Sequence, residues 1–274
     1  MICRQIILSG GETLKKIIVL LSCIICLSLL AVDNTMALSD EAFGFYCVRN
    51  KEHKQPRLDA NISFIEKYGA YYVDKNHGDT SDEKVVYLTF DAGYENGNIE
   101  KILNVMKEED VRGTFFILEN LIKKNPELVK RMAEEGHTVG NHTSKHRDMT
   151  KLDNKEDFAK ELEALNLLYK DVTGREMSSY YRPPEGRFDE RSLSYAYELG
   201  YKTIFWSFAY ADWDNNKQPT AEYAKAKIMD NIHNGAILLL HPTSATNAAI
   251  LSDVIKDLKA LGYRFGELSE LTER

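Results

Sequence analysis

Cysteine is scarce, and most of it lies in one place. Four cysteines occur in 274 residues, and Cys3, Cys23 and Cys26 all sit near the N-terminus, leaving Cys47 alone in the rest of the chain. A single thiol closes no internal disulfide, so this is not a disulfide scaffold and the fold must stand on its core. Cys47 has no nearby histidine and no metal-type spacing, and reads as a packed thiol. An excess of basic residues is missing too. The formal net charge is −7 and the isoelectric point about 5.6, without the basic footprint of a nucleic-acid-binding protein. Internal repeats and low-complexity tracts are absent, which excludes a solenoid. What is present is ordinary for a globular chain: 43% apolar and 28% charged residues, enough for one sizeable core. Single-domain α/β barrels run to this length.

The N-terminus departs from that average. Lys15 and Lys16 precede an apolar run over 17–32, slightly short of a full membrane span, and small residues follow at Thr35 and Ala37. A basic region, a short apolar stretch and small residues make a secretory signal peptide, residues 1–37, cut after Ala37. The alternative is an uncleaved membrane anchor. Either way the remainder is expected to be exported, in the cell wall or another extracytoplasmic space. Cleavage removes three basic and two acidic residues and leaves a net charge of −8.

Residues 38–83 are polar and weakly periodic, with one apolar cluster at 43–46, and read as an N-terminal arm packed on the domain that follows. From residue 84 to 274 strand and helix patterns alternate. Strands are expected at 85–88, 112–118, 137–142, 180–182, 201–208, 236–240 and 263–265, with helices between them. Pro126 interrupts the helical stretch at 119–135. This alternation implies a mostly parallel sheet, open or closed into a barrel.

The strand ends carry the chemistry. Asp91 ends the first strand and enters a loop made flexible by Gly93 and Gly97, where barrel enzymes place catalytic groups. His142 and His146 are four residues apart, a spacing that turns both rings to one side in a helix turn or tight loop and suits a metal pair. A surface loop carrying two histidines is the plain alternative. His137 precedes its strand and is expected to be structural. Pro183 and Pro184 fix the course of the chain after Arg182, and Gly186 allows a turn, which aims the guanidinium. Asp212 and Trp213 follow a fourth strand. His241 ends the apolar strand at 236–240, placed to act as a general acid or to sit satisfied in the core.

Taken in order, Thr89-Phe90-Asp91, His142-Thr143-Ser144-Lys145-His146, Arg182-Pro183-Pro184, Asp212-Trp213 and Leu238-Leu239-Leu240-His241 resemble the five motifs of the polysaccharide deacetylase family, carbohydrate esterase family 4. The likeness spans roughly residues 84–266. The variants Phe90-Asp91-Ala92-Gly93-Tyr94-Glu95-Asn96-Gly97 and Arg182-Pro183-Pro184-Glu185-Gly186-Arg187-Phe188 look most similar to the branch that makes muramic δ-lactam in the spore cortex.

The resemblance implies an α/β fold, a distorted (β/α) barrel of the polysaccharide deacetylase type, and metal-assisted hydrolysis of N-acetyl groups on a glycan. It implies Asp91 as general base, His142 and His146 as metal ligands, and His241 as the acid that protonates the leaving amine. Arg182 would orient Asp91 and Asp212 would tune His241. Tyr94, Asn96, Gly97, Pro183 and Pro184 would line the substrate site, and Trp213 and Leu240 the pocket for the acetyl methyl.

One position departs from the family. Ala92 stands where a second aspartate usually binds the metal, so two neutral imidazoles remain. Such a donor set favours Zn²⁺ over hard ions such as Mg²⁺ and weakens the site, with Mn²⁺, Co²⁺ and Mg²⁺ as the alternatives. The expected partner is the glycan strand of peptidoglycan, after an N-acetylmuramoyl-L-alanine amidase has freed the lactyl carboxylate. Arg187 is a candidate to read that carboxylate bidentately. The alternatives are an N-acetylglucosamine deacetylase on peptidoglycan or chitin-like glycan, and a glycan-binding pseudoenzyme.

Overall fold

The computed structural model describes residues 38–50 and 52–272, and the export segment expected at 1–37 lies outside the described residues. The described chain begins with β1 (Phe43–Gly44), β2 (Cys47–Val48), β3 (Arg57–Leu58), a 3₁₀ helix over Ala60–Tyr68 and β4 (Ala70–Tyr71). Strands and helices then alternate through β5 (Lys84–Ala92), α1 (Ile99–Glu108), β6 (Thr114–Ile117), α2 (Glu119–Lys124), α3 (Pro126–Glu134) and β7 (Thr138–Asn141). Next come α4 (Lys155–Thr173), β8 (Tyr180–Tyr181), β9 (Arg187–Phe188), α5 (Glu190–Glu198) and β10 (Lys202–Ile204). The described residues end with α6 (Ala221–Met229), β11 (Ala236–Leu240), α7 (Ala245–Ala260), β12 (Tyr263–Phe265) and α8 (Leu268–Thr272). Among the described residues no helix is long and apolar enough to cross a membrane.

Eight strands form one parallel sheet in the order β11–β5–β6–β7–β8–β10–β4, with β12 also paired to β5. It curls into a half-barrel, partly closed by an antiparallel bridge between Val73, just past β4, and Ala236 at the foot of β11.

The two faces of β5 show what holds it. Val86, Leu88, Phe90 and Ala92 pack toward the helices with Ile102, Leu103, Phe115 and Val254, whereas Val85 and Tyr87 face inward with Phe116 and Ile237. Both sets are almost fully buried, and each large apolar side chain so buried contributes about 1.5–3 kcal/mol. The same period-two alternation puts Asp91 on the inner face.

Register then gathers the site. Ala92 pairs with Ile117, Ile117 with Asn141, and Asn141 with Tyr181, while Leu240 pairs with Phe90. The C-terminal ends of five strands therefore lie at one level, and Asp91, His142, Arg182 and His241 leave from it.

The helices follow their apolar spacing and caps. α1 buries Ile99, Ile102, Leu103 and Met106 on one face. The stretch expected to break at Pro126 does so, with Pro126 at the first position of α3. α4 starts at Asn154, whose side chain accepts from Asp157 N, and ends at Gly174 in the left-handed conformation, φ 70°.

Two expectations change. The strand expected over 201–208 is regular only from Lys202 to Ile204. The carbonyls of Ile204 and Phe205 accept hydrogen bonds from the Arg182 side chain, and the chain swings so that Phe208 bridges Leu238 of β11. The segment expected as a packed arm also builds the sheet: β4 is its edge strand, parallel to β10, and β1 pairs antiparallel with β9. Cys47 is a packed thiol, as expected. Its Sγ lies 3.4 Å from Ser207 O, and burial pushes its pKa up to about 11.

Candidate active site

Asp91 leaves β5 with its carboxylate held from one side by Arg182. The Arg182 side chain has no solvent exposure and donates from Nη1 to Asp91 Oδ1 at 2.9 Å. Its Nε donates to Ile204 O, and its Nη2 to Thr89 Oγ1 and Phe205 O, at 2.9–3.1 Å. The guanidinium also lies 4.2 Å from the Phe116 ring centroid, a cation–π contact. Burial alone would raise the Asp91 pKa, but the neighbouring His142, Arg182 and His241 outweigh it and hold the carboxylate below its usual range, with Arg182 carrying the permanent charge.

His142 follows β7 directly. Its Nδ1 donates to Arg182 O at 2.8 Å, which fixes the tautomer and leaves a bare lone pair on Nε2, 3.5 Å from Asp91 Oδ2. Burial strips the imidazolium of its hydration and lowers the His142 pKa to about 4. The His146 ring lies 5.1 Å from it, centroid to centroid.

A strained loop brings these two rings together, because Thr143 and His146 have φ of 73° and 55°. Asn141 Oδ1 accepts from Thr143 N at 2.8 Å and Thr143 Oγ1 from His146 N at 2.9 Å. Ser144 donates to Glu119 at 2.7 Å, and Glu161 accepts from Lys145 N at 2.8 Å.

His241 follows β11. Its Nδ1 donates to Asp212 Oδ1 at 2.7 Å and its backbone N to Asp212 Oδ2 at 2.8 Å. Burial would lower the His241 pKa, but the hydrogen bond and charge of the fully buried Asp212 prevail and raise it. Gln218 ties the Asp212 loop to the start of α7, donating to Asp212 O and accepting from Ser244 Oγ.

These groups open on a cleft of about 670 Å³ whose lining includes Asp91, His142, His146, Trp213, Leu239 and His241. The cleft thus joins an ionised carboxylate, a neutral imidazole with a free lone pair, an imidazole biased toward its cation and an apolar wall.

A family model described as polysaccharide deacetylase matches residues 78–204. The peptidoglycan-N-acetylmuramic acid deacetylase PdaA of Bacillus subtilis is 41% identical over 236 residues, 86% of this chain and 88% of that protein. The chain belongs to the polysaccharide deacetylase family. The solved structure of Bacillus subtilis PdaA, a family 4 carbohydrate esterase, superposes with a TM-score of 0.80 at 40% identity, covering 85% of this chain and 98% of that one. A family 4 carbohydrate esterase from Bacillus anthracis gives 0.70 at 36% identity, covering 86% and 98%.

Of the residues matched to the polysaccharide deacetylase motifs, Asp91, His142, His146, His241, Tyr94 and Trp213 meet at the cleft, with Arg182 and Asp212 directly behind. Others stand elsewhere. Leu240 packs among the helix-side apolar residues, and Leu239, one residue earlier and on the opposite face of β11, lines the cleft instead. Pro183 and Pro184 are buried under the loop, whose cleft side is Glu185 and Gly186. At Gly186, φ is 64° and a Cβ would come within 2.6 Å of the Trp206 ring, so only glycine fits. Asn96 donates to Thr243 O at 2.8 Å and anchors its loop, and Gly97 turns that loop at φ 91°.

Arg187 is the clearest correction. Its Nε lies 3.0 Å from Asp148, and it is not among the residues lining the cleft, because β9 is pinned to β1. His137 is structural, as expected. It is buried edge-on to Phe115, and burial lowers its pKa to about 4.

Thr89 and Leu239, though inside the motifs, and Asn141, Tyr210 and Asn247, outside them, carry roles that the motifs do not assign. Thr89 and Leu239 were within reach of simple strand alternation, since each is two residues from a motif residue on the same face. Asn141, Tyr210 and Asn247 act through contacts that carry no local signal.

Proposed function

We propose that this protein hydrolyses the N-acetyl groups of N-acetylmuramic acid residues in peptidoglycan, and that its product is the precursor of muramic δ-lactam in the spore cortex. One observation carries the chemistry. Asp91, kept ionised beside Arg182, and His241, kept toward its cation by Asp212, open on the same cleft. Amide hydrolysis needs both a base and an acid.

Asp91 takes a proton from the attacking water, which adds to the acetamide carbonyl. His241 Nδ1 is committed to Asp212, so Nε2 carries the proton to the leaving nitrogen, and the C–N bond breaks to give acetate and the free amine. Positioned acid–base groups of this kind typically contribute about 10²–10⁴-fold each. Leu239 and Trp213 supply the apolar wall for the acetyl methyl.

The residues also fit a divalent metal, because His142 presents a neutral Nε2 lone pair with His146 beside it. Together they would hold the ion, which supplies Lewis acidity at the carbonyl oxygen when bound. Ala92 is buried among apolar residues and adds no oxygen donor, so two imidazoles favour Zn²⁺ and bind it less tightly than a three-ligand set.

Substrate choice follows from the likeness to PdaA and from the product's chemistry. A free amine closes a δ-lactam only onto a lactyl carboxylate that carries no peptide, so an N-acetylmuramoyl-L-alanine amidase acts first. Residues 1–37 would direct export to the compartment that holds this substrate.

The test is acetate release by the purified protein from de-peptidated glycan strands, peptide-bearing strands and chitin oligomers. Release from de-peptidated strands well above the other two supports the reading. Equal release from chitin oligomers, or none from any peptidoglycan, contradicts it.

A further inference from the structure

We propose that Asn247 and Tyr210 form a positioning pair that holds Asp212, and through it His241, in the orientation that proton delivery requires. The inference rests on the deacetylase reading for its kinetic readout and adds two residues to it.

Asn247 is almost fully buried, and both ends of its amide are engaged. Nδ2 donates to Asp212 Oδ2 at 2.6 Å and to His241 O at 3.1 Å. Oδ1 accepts from the Tyr210 hydroxyl. Its backbone is fixed as well, because it lies in the first turn of α7 and its N donates to the capping Ser244 Oγ at 3.1 Å.

This arrangement has only one workable amide orientation. Turned over, Asn247 would set Oδ1 against the Asp212 carboxylate and Nδ2 against a hydroxyl that donates. Asp212 Oδ2 and His241 O only accept, so they select the orientation in which Asn247 Nδ2 donates, and the Tyr210 hydroxyl, kept protonated because burial raises its pKa, donates to the Oδ1 this leaves.

Asp212 in turn has little freedom. Oδ1 is used by His241 Nδ1, and Oδ2 by His241 N and Asn247 Nδ2. Without Asn247, Oδ2 keeps one donor and the carboxylate can rotate, which swings the imidazole it holds. Tyr210 lines the cleft with its ring while its hydroxyl faces Asn247, so this chain of contacts runs from the cleft wall to the acid. The charged groups facing His241 are Asp212, Asp91 and Arg182, and Trp213 packs edge-on against its ring. Asn247 is the neutral member that sets the angle.

The experiment compares the full chain with Asn247→Ala and Tyr210→Phe. For Asn247→Ala, kcat on de-peptidated strands is expected to fall about 10–100-fold, the range seen for outer partners that orient metal-bound imidazoles, with KM little changed. Removing a donor from Asp212 makes that carboxylate more basic. The His241 titration, followed by its imidazole NMR signals in the protein alone, then moves up, and the alkaline limb of kcat moves with it. Tyr210→Phe keeps the ring, deletes only the hydroxyl and shows the same changes in smaller measure. Should Asn247→Ala not fold, Tyr210→Phe decides alone. Folded variants with unchanged kcat and an unchanged His241 titration overturn the proposal. If the wild-type protein releases no acetate, the deacetylase reading fails while the His241 titration still decides whether Asn247 sets this histidine.

Discussion

Arg182 and Asp91 meet at 2.9 Å, from the ends of strands that have two other β-strands between them in the sheet, and the arginine side chain has no exposure to water. A guanidinium so placed is an anchor for charge. Four of its hydrogen bonds and an aromatic face hold it still, so the carboxylate it faces stays ionised and pointed into the cleft.

Arg182→Met is therefore expected to lose about 3–5 kcal/mol of stability, the usual cost of breaking a buried pair by removing one partner. The pH dependence has a definite sign. Asp91 has a lowered pKa in the folded protein, so its contribution is present above the unfolded value of about 3.9 and is lost as pH falls through the folded value. Thermal unfolding of wild type and variant between neutral pH and pH 3 checks both parts. A variant as stable as wild type at neutral pH contradicts them.

Asp212→Asn tests the other side of the cleft. With the charge of Asp212 gone, the raised pKa of His241 is expected to drop, and the alkaline limb of kcat/KM to move to lower pH, since the acid must be protonated to act. The linked stability has the opposite sense to that of Asp91. It is present below the unfolded histidine pKa of about 6.5 and lost as pH rises through the folded value. An alkaline limb that stays in place would show that Asp212 does not set the acid.

Strand alternation on β11 separates two neighbouring leucines. Leu240→Ala removes a core side chain and should cost about 2–5 kcal/mol in denaturant unfolding, with turnover little altered in the folded protein. Leu239→Ala also removes a buried side chain, but in the folded protein it is expected to weaken kcat/KM as well, because this residue lines the cleft. The reverse pattern would put β11 in the wrong register.

For the histidine pair, His142→Ala and His146→Ala should each reduce zinc content measured by elemental analysis after dialysis against buffered metal. A chelator should lower wild-type acetate release, with recovery on adding zinc. Unchanged metal content in both variants would remove the pair as ligands.

Much of this was legible in the sequence, and the reasons differ by residue. Asp91, His142 and His241 end strands whose periodicity is plain, so their meeting follows from a parallel sheet with strand ends in register. Pro126 broke its helix as its missing N–H requires. What failed depended on contacts far along the chain. Arg187 was expected near the site from its place five residues after Arg182, but the pairing of β9 with β1 and the nearby Asp148 draw it away. Leu240 belongs to the fifth motif, but alternation along β11 turns its side chain toward the helices and that of Leu239 toward the cleft. The strand after Tyr201 ended early because a side chain, Arg182, claimed the carbonyls a neighbouring strand would use.

The most direct measurement is acetate released from de-peptidated glycan strands by wild type, Asp91→Asn and His241→Ala, each shown to be folded by thermal unfolding. Either substitution is expected to lower kcat/KM by about 10²–10⁴, with the double variant no worse than a little below the weaker single one, because the two groups act on one transition state. Near-normal turnover in either folded variant would contradict this expectation.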